Sequence, residues 1–134
     1  MAYTSVRLLC TLSAYSAIKS DLIEVCGVEA LMKSYERSDN YENPVQETAL
    51  WALRNLSDKI EDDNKIESLL VESLKILSGS SNHADILKQC AAGILCNLSC
   101  NSVKNKVFIV RNEGVDALIQ TISEYVTQFL RTNF

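Results

Sequence analysis

One proline, one histidine, one tryptophan and only four glycines occur among the 134 residues. With so few breakers, and with no sustained alternation of apolar and polar residues, sheets are excluded and helices are expected throughout. No run of about 18 apolar residues is present, so no segment is long enough to span a bilayer as a helix. The first ten residues, Met1 to Cys10, lack the charged stretch and long apolar stretch of a signal peptide. Basic residues are outnumbered, 13 against 17 acidic ones, and the net charge of −4 argues against nucleic acid or an anionic membrane as partner.

The lone histidine, His83, sits in a Ser- and Asn-rich turn and leaves every Cys and Ser without an evident base, so no catalytic site is expected. The five cysteines form no Cys-x-x-Cys pair. Cys96 and Cys100, four apart, share a helix face that could suit a metal or a disulfide, but His83 does not complete such a site. Reduced, mostly buried thiols in a cytosolic protein are expected, with no metal and no cofactor.

What is present is an ordinary globular composition, 47% hydrophobic and 22% charged, in a chain of about one domain. Helix punctuation is legible. Asn43 precedes Pro44, and Gln46 completes a capping-box pattern. Gly79 terminates a helix ending LVESLKILS, and Ser80-Ser81-Asn82 starts the next. Gly27 and Gly114 each separate two helices.

Two stretches repeat: ETALWALRNLSD, Glu47 to Asp58, and CAAGILCNLSCNSVKNK, Cys90 to Lys106. Leu12-Ser13, Leu56-Ser57 and Leu98-Ser99 recur at intervals of 44 and 42 residues. Leu9, Leu53 and Leu95 precede them by three, and Ser5, Ala49 and Ala91 by seven, which makes one inward stripe on each helix. Ile18 to Met32 matches Asn105 to Ile119, aligning Lys19 with Lys106, Gly27 with Gly114 and Val28-Glu29-Ala30-Leu31 with Val115-Asp116-Ala117-Leu118. The unit is a short helix, a glycine break, a second helix and a long third helix ending Leu-Ser. A three-helix period of this length is that of armadillo repeats, which stack because no unit buries its apolar face alone. The expected fold is all-α, an armadillo-repeat right-handed α-solenoid of about three repeats. Residues 1–15 are read as the third helix of a partial repeat, 16–58 as a repeat, 59–101 as a shortened repeat and 102–134 as the start of a further one. In the shortened repeat KIEDDN replaces the first helix.

With Ala49, Leu53 and Leu56 facing the core, Trp51, Asn55 and Asp58 share another face. Gly93, Asn97 and Cys100 or Asn101 hold the equivalent places on the last long helix, and Arg7 and Thr11 on the first. Stacking makes these faces a ladder along a concave groove. Asparagine amides there offer donors and an acceptor to an extended peptide backbone, and Trp51 offers an apolar platform. Lys19, Arg54, Lys104 and Lys106 are expected along the same side, so an acidic ligand is expected.

The blocks Trp51 to Asp58 and Cys90 to Lys106 resemble the central armadillo repeats of the β-catenin family, and the resemblance runs from about Ser5 to Ile122, shortened repeat included. It implies a non-enzymatic scaffold in cell adhesion and Wnt signalling, whose groove binds acidic segments of cadherin tails, T-cell-factor-type transcription factors, the adenomatous polyposis coli protein and axin. It also implies a location in cytoplasm, nucleus and cell junctions. By the same resemblance, Lys106 matches the lysine that holds a ligand carboxylate, and Lys19 has that place one groove segment earlier. Asn97 and Asn101 match groove asparagines, while Trp51, Arg54, Asn55 and Asp58 match the groove face. The competing reading is an importin-α-like receptor for basic nuclear-localisation peptides. It requires tryptophan in successive repeats, where this chain has Arg7 and Gly93.

Overall fold

A computed structural model of the chain describes residues 2–37, 44–79 and 85–134. Among these residues there is no strand. In chain order the elements are α1 (Ala2–Ser13), a 3-10 turn (Ser16–Ile18), α2 (Lys19–Glu24), α3 (Gly27–Glu36), α4 (Pro44–Leu56), α5 (Asp63–Ser78), α6 (Asp85–Ser99), α7 (Val103–Arg111) and α8 (Gly114–Asn133). The all-α solenoid expected from the repeat pattern is the fold. Pro44 opens α4 as expected, while Asn43, Ser80-Ser81-Asn82 and His83 lie outside the described residues.

Helix α4 is the centre of the core. Its small residues Ala49 and Ala52 let neighbours approach closely, and with Leu50, Leu53 and Leu56 they are fully enclosed by α1, α3 and α6. The same spacing recurs in α6, where Leu87, Cys90, Ala91 and Ile94 are sealed off. Helix α5 lies against α6 and contributes Leu69, Leu70, Ile76 and Leu77.

Between α4 and α5 the first helix of the middle repeat is replaced by a short connection in which Ile60 plugs the core. Asp62 then caps α5, its carboxylate accepting from the Lys65 N–H at 3.0 Å. Ser102 caps α7 in the same way through the Asn105 N–H. The Asn105 amide, itself buried, donates to the Leu98 carbonyl at 2.7 Å and fixes α7 to the end of α6.

The breaks at Gly27 and Gly114 work differently from a usual glycine turn. The left-handed residues are the ones before them, Cys26 (φ 62°) and Glu113 (φ 60°). The glycines serve close approach: a Cβ on Gly27 would sit 2.4 Å from the Leu22 carbonyl oxygen. Gly79 likewise ends α5 with extended backbone (φ −62°, ψ 127°), its N–H donating to the Lys75 carbonyl.

Candidate functional site

The three Leu-Ser helices, α1, α4 and α6, lie side by side in that order. Each serine folds its hydroxyl back onto the carbonyl three residues earlier: Ser13 on Cys10, Ser57 on Arg54 and Ser99 on Cys96. That leaves the serine oxygen as an acceptor facing the next helix. Asn55 of α4 donates to Ser13 Oγ at 3.1 Å. Asn97 of α6 donates to Ser57 Oγ at 2.9 Å and to the Arg54 carbonyl at 3.1 Å. One amide–serine bond therefore joins each successive pair of these helices.

This changes what the asparagines can offer a ligand. Both N–H groups of Asn97 and one of Asn55 are used inside the protein. The amide oxygens of both are left as acceptors, with one remaining donor on Asn55.

Beside this ladder, the Arg54 guanidinium lies 5.3 Å from the centre of the Trp51 ring. It can lie flat there because the facing residue of α6 is Gly93, where a Cβ would fall 2.4 Å from Arg54 Nε. Trp51 is 38% exposed, on the surface rather than in the core. In α1, Arg7 holds the place equivalent to Trp51 and lies over Tyr3, 5.6 Å from the ring centre.

The basic residues do not form one free set. Lys19, at the start of α2, donates to Asp58 at 3.0 Å across 39 residues, and its side chain is only 13% exposed. Those two predicted site residues thus meet each other. Lys104 reaches Asp63 at the start of α5, at 3.1 Å, with both side chains about three-quarters exposed. It lines a cleft of about 450 Å³ between α5 and α7 together with Ile66, Val107 and Phe108. Lys106 is two residues on, roughly 200° around the helix, and does not line that cleft. It is exposed, with no carboxylate at ion-pair distance among the described residues. Asn101 is exposed in the turn after α6. The structure so joins Trp51, Arg54 and Asn97 in one group, ties Asn55 to Ser13 and Lys19 to Asp58, and turns Lys104 to Asp63.

The cysteine expectation needs correction. Only Cys90 is buried and Cys10 is half-buried, whereas Cys26, Cys96 and Cys100 are exposed. Helix α6 ends at Ser99, so Cys100 lies in the turn and shares no helix face with Cys96. All five thiols are free, and the described residues contain no group of three or more His, Cys, Asp or Glu able to hold a metal. Burial pushes the Cys90 thiol up to about 11.

Sequence reasoning missed Gly93 and the serines as working parts. The serines were visible only as markers of the repeat, because their partners come from another helix 40 and 42 residues away.

No protein-family model matches the chain. It is 34% identical over 122 residues to the armadillo segment polarity protein of Drosophila melanogaster and 38% identical over 123 residues to human junction plakoglobin. It is 35% identical over 122 residues to catenin beta of the sea urchin Tripneustes gratilla. Each match covers 91% of this chain, which in turn spans 14–16% of the length of these relatives. With the helical repeat and these relatives in agreement, the chain belongs to the β-catenin family and is built of its armadillo repeats.

Proposed function

We propose that the face carrying Trp51, Arg54, Asn55, Asn97, Asn101 and Lys106 binds an extended acidic peptide, making the chain a segment of a non-enzymatic protein-binding scaffold. The observation that carries this reading is Lys106: an exposed ammonium, in an acidic protein, with no internal carboxylate among the described residues. A ligand carboxylate completes it at no cost to the fold. The Asn55 and Asn97 amide oxygens accept from the peptide's backbone N–H groups, and the Trp51–Arg54 pair supplies a flat surface with a cationic edge. Lys19 has a second role here, because an incoming carboxylate competes with Asp58 for it.

The division into repeats at 16–58, 59–101 and 102–134 belongs to the same reading. So do partners of the kind the family resemblance implies: cadherin tails, T-cell-factor-type transcription factors, the adenomatous polyposis coli protein and axin. Adhesion and Wnt signalling, in cytoplasm, nucleus or junctions, follow from those partners. No helix among the described residues is long and apolar enough to cross a membrane.

The test is a titration of a labelled acidic cadherin-tail peptide by fluorescence anisotropy, beside a basic nuclear-localisation peptide and a Lys106→Glu variant. Reversing one exposed charge contact removes roughly 1–2 kcal/mol, so about 5- to 30-fold weaker acidic binding is expected in the variant. Added salt should weaken binding to the unmodified chain as well. Unchanged affinity in Lys106→Glu, or preference for the basic peptide, overturns the assignment.

A further inference from the structure

The middle repeat has no first helix, and the fold leaves that helix's place partly open. In the neighbouring repeats the element is present: α2 has six residues and packs on α3, and α7 has nine and packs on α8. A first helix of the middle repeat would by the same rule lie on α5. There the chain instead passes from Leu56 to Asp63 without a helix, and Ile60 of that connection enters the core. What remains beside α5 is the cleft of about 450 Å³ shared with α7, a size within the ~300–1,000 Å³ of recognition pockets. The cleft is internal to the array. Helix α5 is flanked by α8 and, through Lys65–Glu29 at 3.1 Å, by α3, and a repeat added at either end would stack on α1 and α3 or on α6 and α8.

The floor of the cleft is apolar where the matching residues of the first repeat are polar. Val107, 41% exposed, and Phe108 face it from α7, and the residues aligned with them on α2 are Ser20 and Asp21. Val103, 75% exposed, extends the floor at the start of α7, and Ile66 faces it from α5. The rims carry opposite charge: Asp63 and Glu67 along α5, Lys104 and Arg111 along α7. Lys104 and Asp63 engage each other at one end. Glu67 and Arg111 are exposed and have no ion-pair partner among the described residues.

We propose that this cleft receives a short amphipathic helix of another protein, in the place of the middle repeat's own first helix. An apolar stripe at i, i+3 and i+7 lies on Val107, Phe108 and Ile66. A basic residue on one flank of the helix meets Glu67, and an acidic residue on the other meets Arg111. A helix of nine residues, the length of α7, is about 14 Å long and covers the two turns from Lys104 to Arg111. An extended acidic segment does not suit the cleft, because Asp63 and Glu67 repel it. The site is separate from the face carrying Lys106, which does not line the cleft.

The experiment is a display selection on the full chain, using helix-patterned 12-residue peptides randomised at the stripe and flank positions, followed by fluorescence anisotropy on the enriched sequences. Apolar stripes with one basic and one acidic flank should be enriched over stripes with both flanks acidic or both basic. Val107→Glu, at an exposed position, should weaken their binding ~10-fold or more, because the new carboxylate would be buried against the stripe. Arg111→Glu makes both rims acidic and should shift preference by about 3- to 10-fold toward peptides basic on both flanks. Lys106→Glu should leave binding unchanged. Failure to enrich helical peptides overturns the proposal, as does binding indifferent to Val107→Glu or to Arg111→Glu. Enriched peptides that are uniformly acidic and lost in Lys106→Glu also overturn it, since they would report the groove face instead.

Discussion

Replacing Gly93 with alanine should leave the stability of the chain almost unchanged and yet disturb its only tryptophan. The new Cβ would lie 2.4 Å from Arg54 Nε, 2.8 Å from Cδ and 3.1 Å from Cζ, all atoms of the far part of one long side chain. Arg54 can swing away, giving up its place over Trp51, an interaction of about 0.5–1 kcal/mol at a partly exposed site. Alanine gains about 0.8–1.0 kcal/mol over glycine within a helix. The two effects nearly cancel, leaving a net change within ~0.5 kcal/mol. At Gly27 the same substitution meets the Leu22 carbonyl oxygen at 2.4 Å and its carbon at 3.2 Å. Backbone cannot turn aside, so a loss of about 1–3 kcal/mol is expected there, roughly 3–10 °C in melting temperature for a chain of this size. The assay is urea unfolding followed by Trp51 fluorescence. Native Gly93→Ala should show altered emission intensity or wavelength, since the cation no longer sits on the ring, whereas native Gly27→Ala should not. Equal destabilisation by the two substitutions, or native emission unchanged in Gly93→Ala, would refute the reasoning.

Asn97→Ala removes two bonds to α4 and should cost ~1–2 kcal/mol, against ~1 kcal/mol or less for Asn55→Ala, which loses one; chemical denaturation showing the reverse order would contradict the ladder. The Lys88 ammonium and Gln120 amide hold the Glu124 carboxyl below its ordinary value of 4.5. Its contribution to stability is then fully present above that value and lost as pH falls through the lowered one, so Glu124→Gln should flatten the acid side of the melting profile and leave Lys88 buried without its counter-charge. Brief alkylation of the native protein, read by mass spectrometry, should label Cys26, Cys96 and Cys100 first and Cys10 slowly, while Cys90, whose thiol burial raises to about 11, reacts only on unfolding.

The sequence by itself determined the helices, the repeat and the core stripe of α4 and α6; in α1 the expected stripe is corrected, for Ser5 is exposed and Val6 is the residue buried against α4. The Leu-Ser spacing and the Ala49–Leu53–Leu56 pattern act within one helix and along one period, where residue type dictates burial. It also showed KIEDDN in the place of a first helix, while the structure added that Ile60 plugs the core there and that Asp62 caps α5. Only the tertiary structure decided how the polar residues of the site are used. Whether Lys19 is free or tied to Asp58, whether Asn97 faces a ligand or Ser57, and whether Lys104 joins Lys106 or turns to Asp63 all depend on atoms contributed by other helices. Gly93 shows the same limit: as a residue in α6 it is merely a weak helix former, and its purpose appears only when Arg54 of α4 lies across it. Hydrophobic burial is set by a local periodicity, whereas hydrogen bonds and ion pairs require a partner at about 3 Å, and which partner arrives is settled only when the repeats stack.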